Sequence, residues 1–157
     1  MLKEGLIDIN GIDDIYANEL EELNRKLNTA VNKRIEAQTL IQLLKRKSSQ
    51  NLDSLLSIDE FANQAQIRDL KLSEAQAAKN VSELAQRYGP KHDRMVQAKA
   101  QLASIQERTQ QLIREISFSK QQDLLAAKAQ EDMLREELDR KNQISNHWVR
   151  KRRAMSN

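Results

Sequence analysis

The sequence predicts an all-α protein, an elongated antiparallel coiled-coil hairpin of three helices over about 12–47, 58–88 and 92–148. Three observations carry that expectation. Helix-permissive residues dominate: aromatic residues are 3% of the chain, there are 3 Gly and 1 Pro, and charged residues make up 31%. Apolar residues recur at alternating steps of four and three, a narrow seam in place of a layered core. Two of those seams mirror each other about Gly89-Pro90. The expectation is therefore one helical coiled-coil arm over 1–157, with its tip at 88–92 and a helix break at 48–57.

Residues 1–11 hold two of the three glycines, Gly5 and Gly11, and read as a loop. The first helix is expected near Ile12, with Asp13 and Asp14 favourable in its first turn. Its seam is Tyr16, Leu20, Leu23, Leu27, Ala30, Arg34, Ala37, Ile41 and Leu44, with Arg34 as the charged intruder. The helix should fail near Lys47, where Ser48-Ser49-Gln50-Asn51 offers side-chain hydrogen bonds that compete with the backbone. Ser57 followed by Glu60 has the spacing of a capping box and should open the second helix.

The second seam reads Asn63, Ile67, Leu70, Glu74, Ala77, Val81 and Leu84, ending at Tyr88. Gly89 and Pro90 stop it, since Gly suits the position after a helix and Pro cannot continue one. The third seam reads Met95, Ala98, Leu102, Ile105, Thr109, Leu112 and Ile116. Facing residues of an antiparallel pair have position numbers with a constant sum. Leu84 with Met95, Val81 with Ala98, Ala77 with Leu102 and Ile67 with Leu112 share one. Beyond Ser117-Phe118-Ser119 the seam shifts, as a stutter would shift it, to Leu124, Ala127, Glu131, Leu134, Leu138, Lys141, Ser145 and Trp148. Laid against the first helix, this half places Leu138 near Ala37 and Leu134 near Ile41, at the expense of Lys141 near Arg34. A rival layout folds the first helix onto the second as a compact three-helix bundle.

The net charge of +3 arises from 26 basic and 23 acidic residues and creates no strong long-range field. The one dense basic run, Arg150-Lys151-Arg152-Arg153 beside His147 and Trp148, reads first as a solvated helix end favoured by the helix dipole, with no nucleic-acid partner expected; contact with nucleic acid or lipid headgroups is the rival reading. Trp148 suits either a membrane interface or partial burial on a neighbouring helix. Cysteine is absent, which excludes disulfides and thiolate metal sites. No apolar run approaches the roughly 20 residues of a membrane helix, and Met1-Leu2-Lys3-Glu4 does not open a signal peptide.

No catalytic, cofactor or metal site is expected. His92 and His147 are far apart, the glycines are isolated, and the carboxylates fit a solvated helix face with i,i+4 partners. The turn Tyr88-Gly89-Pro90-Lys91-His92 stands apart, because a turn needs Gly and Pro but not Tyr, Lys and His. Tyr88 closing the seam and His92 capping the next helix would account for both without a further role.

The run Glu83-Leu84-Ala85-Gln86-Arg87-Tyr88-Gly89-Pro90-Lys91-His92 resembles the tip segment of the GumC/Wzz-type exopolysaccharide chain-length determinants, the polysaccharide co-polymerases. The stretch from Arg94 to Leu102 is similar as well, as are Gly5-Leu6-Ile7-Asp8 and the segment from Glu19 to Leu27. Asp93 departs from the pattern, which has proline there. The resemblance implies the periplasmic arm of a bacterial inner-membrane protein, without chemistry of its own. It would act in homo-oligomers with a polysaccharide polymerase and export machinery to set the length of an exopolysaccharide or capsule. Membrane helices, the α/β base and any tyrosine autokinase domain would lie outside this chain, which looks like an excised arm or a truncated product. The alternative from another class is a cytoplasmic coiled-coil adaptor that binds a partner helix.

Overall fold

The computed structural model describes residues 2–48 and 50–156 of the backbone, and the side chains of 11–48, 50–51 and 53–155. The protein is all-α, with no strand among the described residues. Its elements are α1 (Leu2–Ser48), a 3-10 turn (Leu52–Ser57), α2 (Asp59–Ala62), α3 (Ala65–Ala85) and α4 (Asp93–Ser156). They pack as two units. The terminal unit joins Met1–Thr39 with Gln122–Asn157, and the central unit is Leu40–Gln121.

Helix α1 begins at Leu2, ten residues before the expected start at Ile12. Gly5 and Gly11 therefore sit inside a helix and do not form a loop. Each costs the helix up to about 1 kcal/mol relative to Ala, a penalty that a helix of 47 residues absorbs. Asp13 lies well inside α1 and meets Arg152 across the helix pair. A Cβ added at Gly11 would meet nothing within 4 Å. Gly11→Ala should therefore raise stability by about 0.5–1 kcal/mol, read from chemical denaturation. Glu21 with Arg25 at 3.4 Å and Glu22 with Lys26 at 3.6 Å are exposed i,i+4 pairs in the favourable orientation, each worth a few tenths of a kcal/mol. Lys45, Arg46 and Lys47 end α1 where the dipole favours cations.

In the terminal unit Leu23, Leu27, Ala30 and Leu134 form a buried cluster, with Val31 and Leu138 packed on it. This corrects the expected register. Leu134 lies among residues 23–31, not near Ile41, and Leu138 packs there too, not near Ala37. The shift is about ten residues, roughly 15 Å of helix.

Between α1 and α2 the chain does not form the expected capping box. Asn51 Oδ1 accepts the Ser54 N–H at 2.7 Å and caps the 3-10 turn, and the Ser54 hydroxyl donates to the Lys47 carbonyl at 2.6 Å. Ser57 belongs to that turn, its hydroxyl donating to the Ser54 carbonyl, and Ile58 opens α2 with no side-chain cap. Ser49 lies outside the described residues.

The expected second helix is split. Asn63 is the exposed C-cap of α2, and Gln64 is extended, at φ −69° and ψ 127°. Phe61 and Ile67 explain the break. On one continuous helix, side chains six apart would point roughly 120° away from each other, yet both are fully buried in the central unit. The kink turns each of them inward. Leu55, Ile58 and Ile113 join them as buried residues, with Ile41 and Leu44 from the end of α1.

Helix α3 packs antiparallel on the first part of α4. Gln106 donates to Glu74 at 3.3 Å, and Gln66, Asp69, Leu70 and Ser73 share an open groove of about 530 Å³ with Arg108, Gln111, Leu112 and Glu115. Thr109 is buried without a polar penalty because its hydroxyl donates to the Ile105 carbonyl at 2.9 Å. Helix α3 ends at Ala85, three residues before the expected 88, and α4 runs to Ser156, past the expected 148.

Candidate functional site

The two features with more than packing chemistry are the turn between α3 and α4, in the central unit, and a group of charged side chains gathered around the buried Glu131 and the half-buried Lys141 along α1 and α4, in the terminal unit. The turn begins as α3 tightens: the N–H groups of Gln86 and Arg87 donate three residues back, to Glu83 and Leu84. Tyr88 N–H donates to the Leu84 carbonyl at 2.9 Å. His92 N–H donates to the Gly89 carbonyl at 3.1 Å, closing a four-residue turn with Pro90 at its second position, where its fixed φ fits. Gly89 does not adopt a left-handed backbone, since no described residue has positive φ. Pro90 supplies the stop.

Side chains then tie the turn together. Arg94 N–H donates to His92 Nδ1 at 3.2 Å, so the His92 ring caps the first turn of α4. The Tyr88 and His92 rings stack with centroids 4.2 Å apart and planes inclined by 28°. The Arg94 guanidinium lies 5.7 Å from the Tyr88 ring centre and donates to its hydroxyl at 3.3 Å. Lys91 is exposed between them. Asp93 occupies the first helical position of α4, where a carboxylate complements the dipole.

Behind the tip, Ile67, Ala77, Met95 and Ala98 are buried. Leu70, Val81, Leu84, Leu102, Ile105, Leu112 and Ile116 are half-buried. Ile113, absent from the expected seam, is fully buried beside the expected Leu112. The seam thus begins its shift a turn earlier than Ser117.

In the terminal unit the seam charges find partners. Arg34 Nε donates to Glu131 Oε2 at 2.5 Å, and Arg135 Nη2 donates to Glu131 Oε1 at 2.8 Å. Lys141 Nζ donates to Glu19 Oε2 at 2.5 Å. Glu131 is only 6% exposed, a burial an unpaired carboxylate would not accept. The Arg34 hydrogen bond, then that of Arg135, hold its pKa below the ordinary carboxylate value, against desolvation. The Glu19 hydrogen bond lifts Lys141 above the ordinary lysine value, again against desolvation.

The two shifts work at opposite ends of the pH scale. Glu131 contributes stability above its unfolded value of 4.5, and that contribution is lost as pH falls through its lower folded value. Lys141 contributes below its unfolded value of 10.5, and that contribution is lost as pH rises through its higher folded value. The difference in melting temperature between the wild type and Glu131→Gln should shrink between about pH 6 and about pH 3. That between the wild type and Lys141→Met should shrink only above the ordinary lysine range.

Among the described residues no group of three or more His, Asp or Glu is arranged to hold a metal ion. The turn and the ion pairs position helices and present cations. No family model, curated protein or solved structure matches this chain.

Proposed function

We propose that the chain is the non-catalytic periplasmic arm of a polysaccharide co-polymerase, a coiled-coil hairpin of three helices that helps set the length of an exported exopolysaccharide or capsule. The observation that carries this reading is the tip. Arg-Tyr-Gly-Pro-Lys-His, residues 87–92, carries the resemblance, and its Tyr88 and His92 side chains, with Arg94 just beyond, knit a closed turn between α3 and α4. A ring stack and a capping histidine suit a segment whose task is to hold a defined end on a pair of helices. In this reading protomers assemble through the arm, and a polymerase and export machinery act with the intact protein. Membrane-spanning segments lie outside this chain.

Two experiments test the proposal at its two levels. Cysteines at Val81 and Ala98 should form a disulfide within one chain under mild oxidation, and failure to do so would overturn the hairpin register. Deletion of the gene in its native host should change the length distribution of surface polysaccharide on a gel, with restoration by the intact gene. An unchanged distribution would overturn the function and leave the hairpin standing.

A further inference from the structure

Six of the twelve exposed large apolar side chains among the described residues gather at one end of the terminal unit: Ile12, Ile15, Ile144, Trp148, Val149 and Met155. Ile144, Trp148 and Met155 are spaced by four and seven, which sets them in one stripe along α4. Met155 is 81% exposed, so packing within the chain does not explain it. Ile12, Trp148 and Met155 wall a small cavity of about 90 Å³ together with Asp13, Lys151 and Arg152.

The charge around this stripe has one sign on α4. From Arg140 to Asn157 there are six Lys and Arg, at 140, 141 and 150–153, and no Asp or Glu. Across the helix pair, Asp13 answers Arg152 and Glu19 answers Lys141, while Asp14 stands exposed nearby. Arg150 and Lys151 are exposed to solvent. Lys151 Nζ lies 5.5 Å from the Trp148 ring centre, so the cation and the aromatic face form one surface.

We propose that this end of the terminal unit docks on an anionic lipid surface. The last turns of α4 lie along the headgroups, Trp148, Met155 and Ile12 enter the acyl boundary, Lys151 beside Trp148 meets lipid phosphates, and Arg150 on the polar face of the helix adds attraction to the anionic surface. An aromatic and aliphatic stripe flanked by cations is what interfacial binding needs. Nucleic-acid phosphates would be met by the cations alone and would leave Met155 and Ile12 without a role. No helix of the described residues is long and apolar enough to span a bilayer, which fits a contact that stays at the surface. The inference is independent of the polysaccharide reading.

Trp148 is the only tryptophan and therefore reports on its own insertion. Vesicles of equimolar phosphatidylglycerol and phosphatidylcholine should shift its emission to the blue and carry the protein into the pellet, whereas phosphatidylcholine alone should do neither. Met155→Glu, at an exposed position that folding does not use, should lower the partition coefficient about tenfold or more. Arg150→Ala with Lys151→Ala should lower it roughly 25-fold, about fivefold for each cation. Absence of both the shift and pelleting, or equal binding to neutral vesicles, would overturn the proposal. So would tight binding to duplex DNA, unchanged by Met155→Glu, in a protein that ignores vesicles.

Discussion

Phe61→Ala should destabilise the central unit by about 3–5 kcal/mol, a loss to be read from urea unfolding followed by circular dichroism. The ring is fully buried and belongs to a helix of four residues that has no side-chain cap. So short a helix does not hold itself, because helix nucleation is unfavourable and four residues recover little of its cost. Phe61 is therefore the anchor of the segment between α1 and α3. Its loss opens a cavity and also frees Ile58 and Leu55, both buried nearby in sequence. The helical signal of the folded protein should change little, since α1, α3 and α4 hold nearly all the helix. Phe61→Leu should recover most of the loss, the replacement being apolar and close in size. A loss below about 1 kcal/mol for Phe61→Ala would show that the segment stays in place without the ring.

Arg34→Glu should lower the melting temperature more than Arg34→Met does. The methionine removes one of the two cations on Glu131, whereas the glutamate sets a second carboxylate against one that is already shielded from water. Combining Arg34→Glu with Glu131→Arg should recover part of the loss. Recovery stays incomplete because the new cation at 131 faces Arg135 one turn away. A double-mutant cycle on melting midpoints isolates the pair, and strict additivity would mean that the two residues do not couple. The same pair accounts for the register of α1 on α4. Sliding one heptad either way sets Glu131 opposite Leu27 or Ile41 and strands a charge on an apolar layer.

The parts of this fold that were legible in the sequence are those governed by helical period. Ile67, Ala77, Met95 and Ala98 announce themselves by steps of three and four, and the structure buries each of them. Phe61, Ile58 and Leu55 carry no such signal, because a 3-10 turn followed by a four-residue helix has no repeat long enough to read. The start of α1 was hidden for a different reason. Gly5 and Gly11 are strong local punctuation, yet the cost of two glycines is small within so long a helix. The α1–α4 register was illegible from apolar residues alone, since Leu and Ala steps allow several alignments. Arg34, Glu131, Lys141 and Glu19 choose among them, and matching opposite signs across the two helices was the signal available.

At the tip, the pattern located the turn and the capping role of His92 but not the side-chain stack. Gly and Pro mark a stop whatever surrounds them. Tyr88 stacked on His92, with Arg94 over the ring, depends on a turn geometry that period does not encode.

That turn also sets an order of events. The stacked pair Tyr88 and His92 is four residues apart, so bringing α3 onto α4 closes a short loop. Arg34 reaches Glu131 across 97 residues, and Arg152 reaches Asp13 across 139. Chain entropy makes the first contact early and the others late, so folding spreads outward from residues 88–92. Substitutions near the tip then govern how fast the protein forms, whereas those along α1 govern how long it lasts once formed.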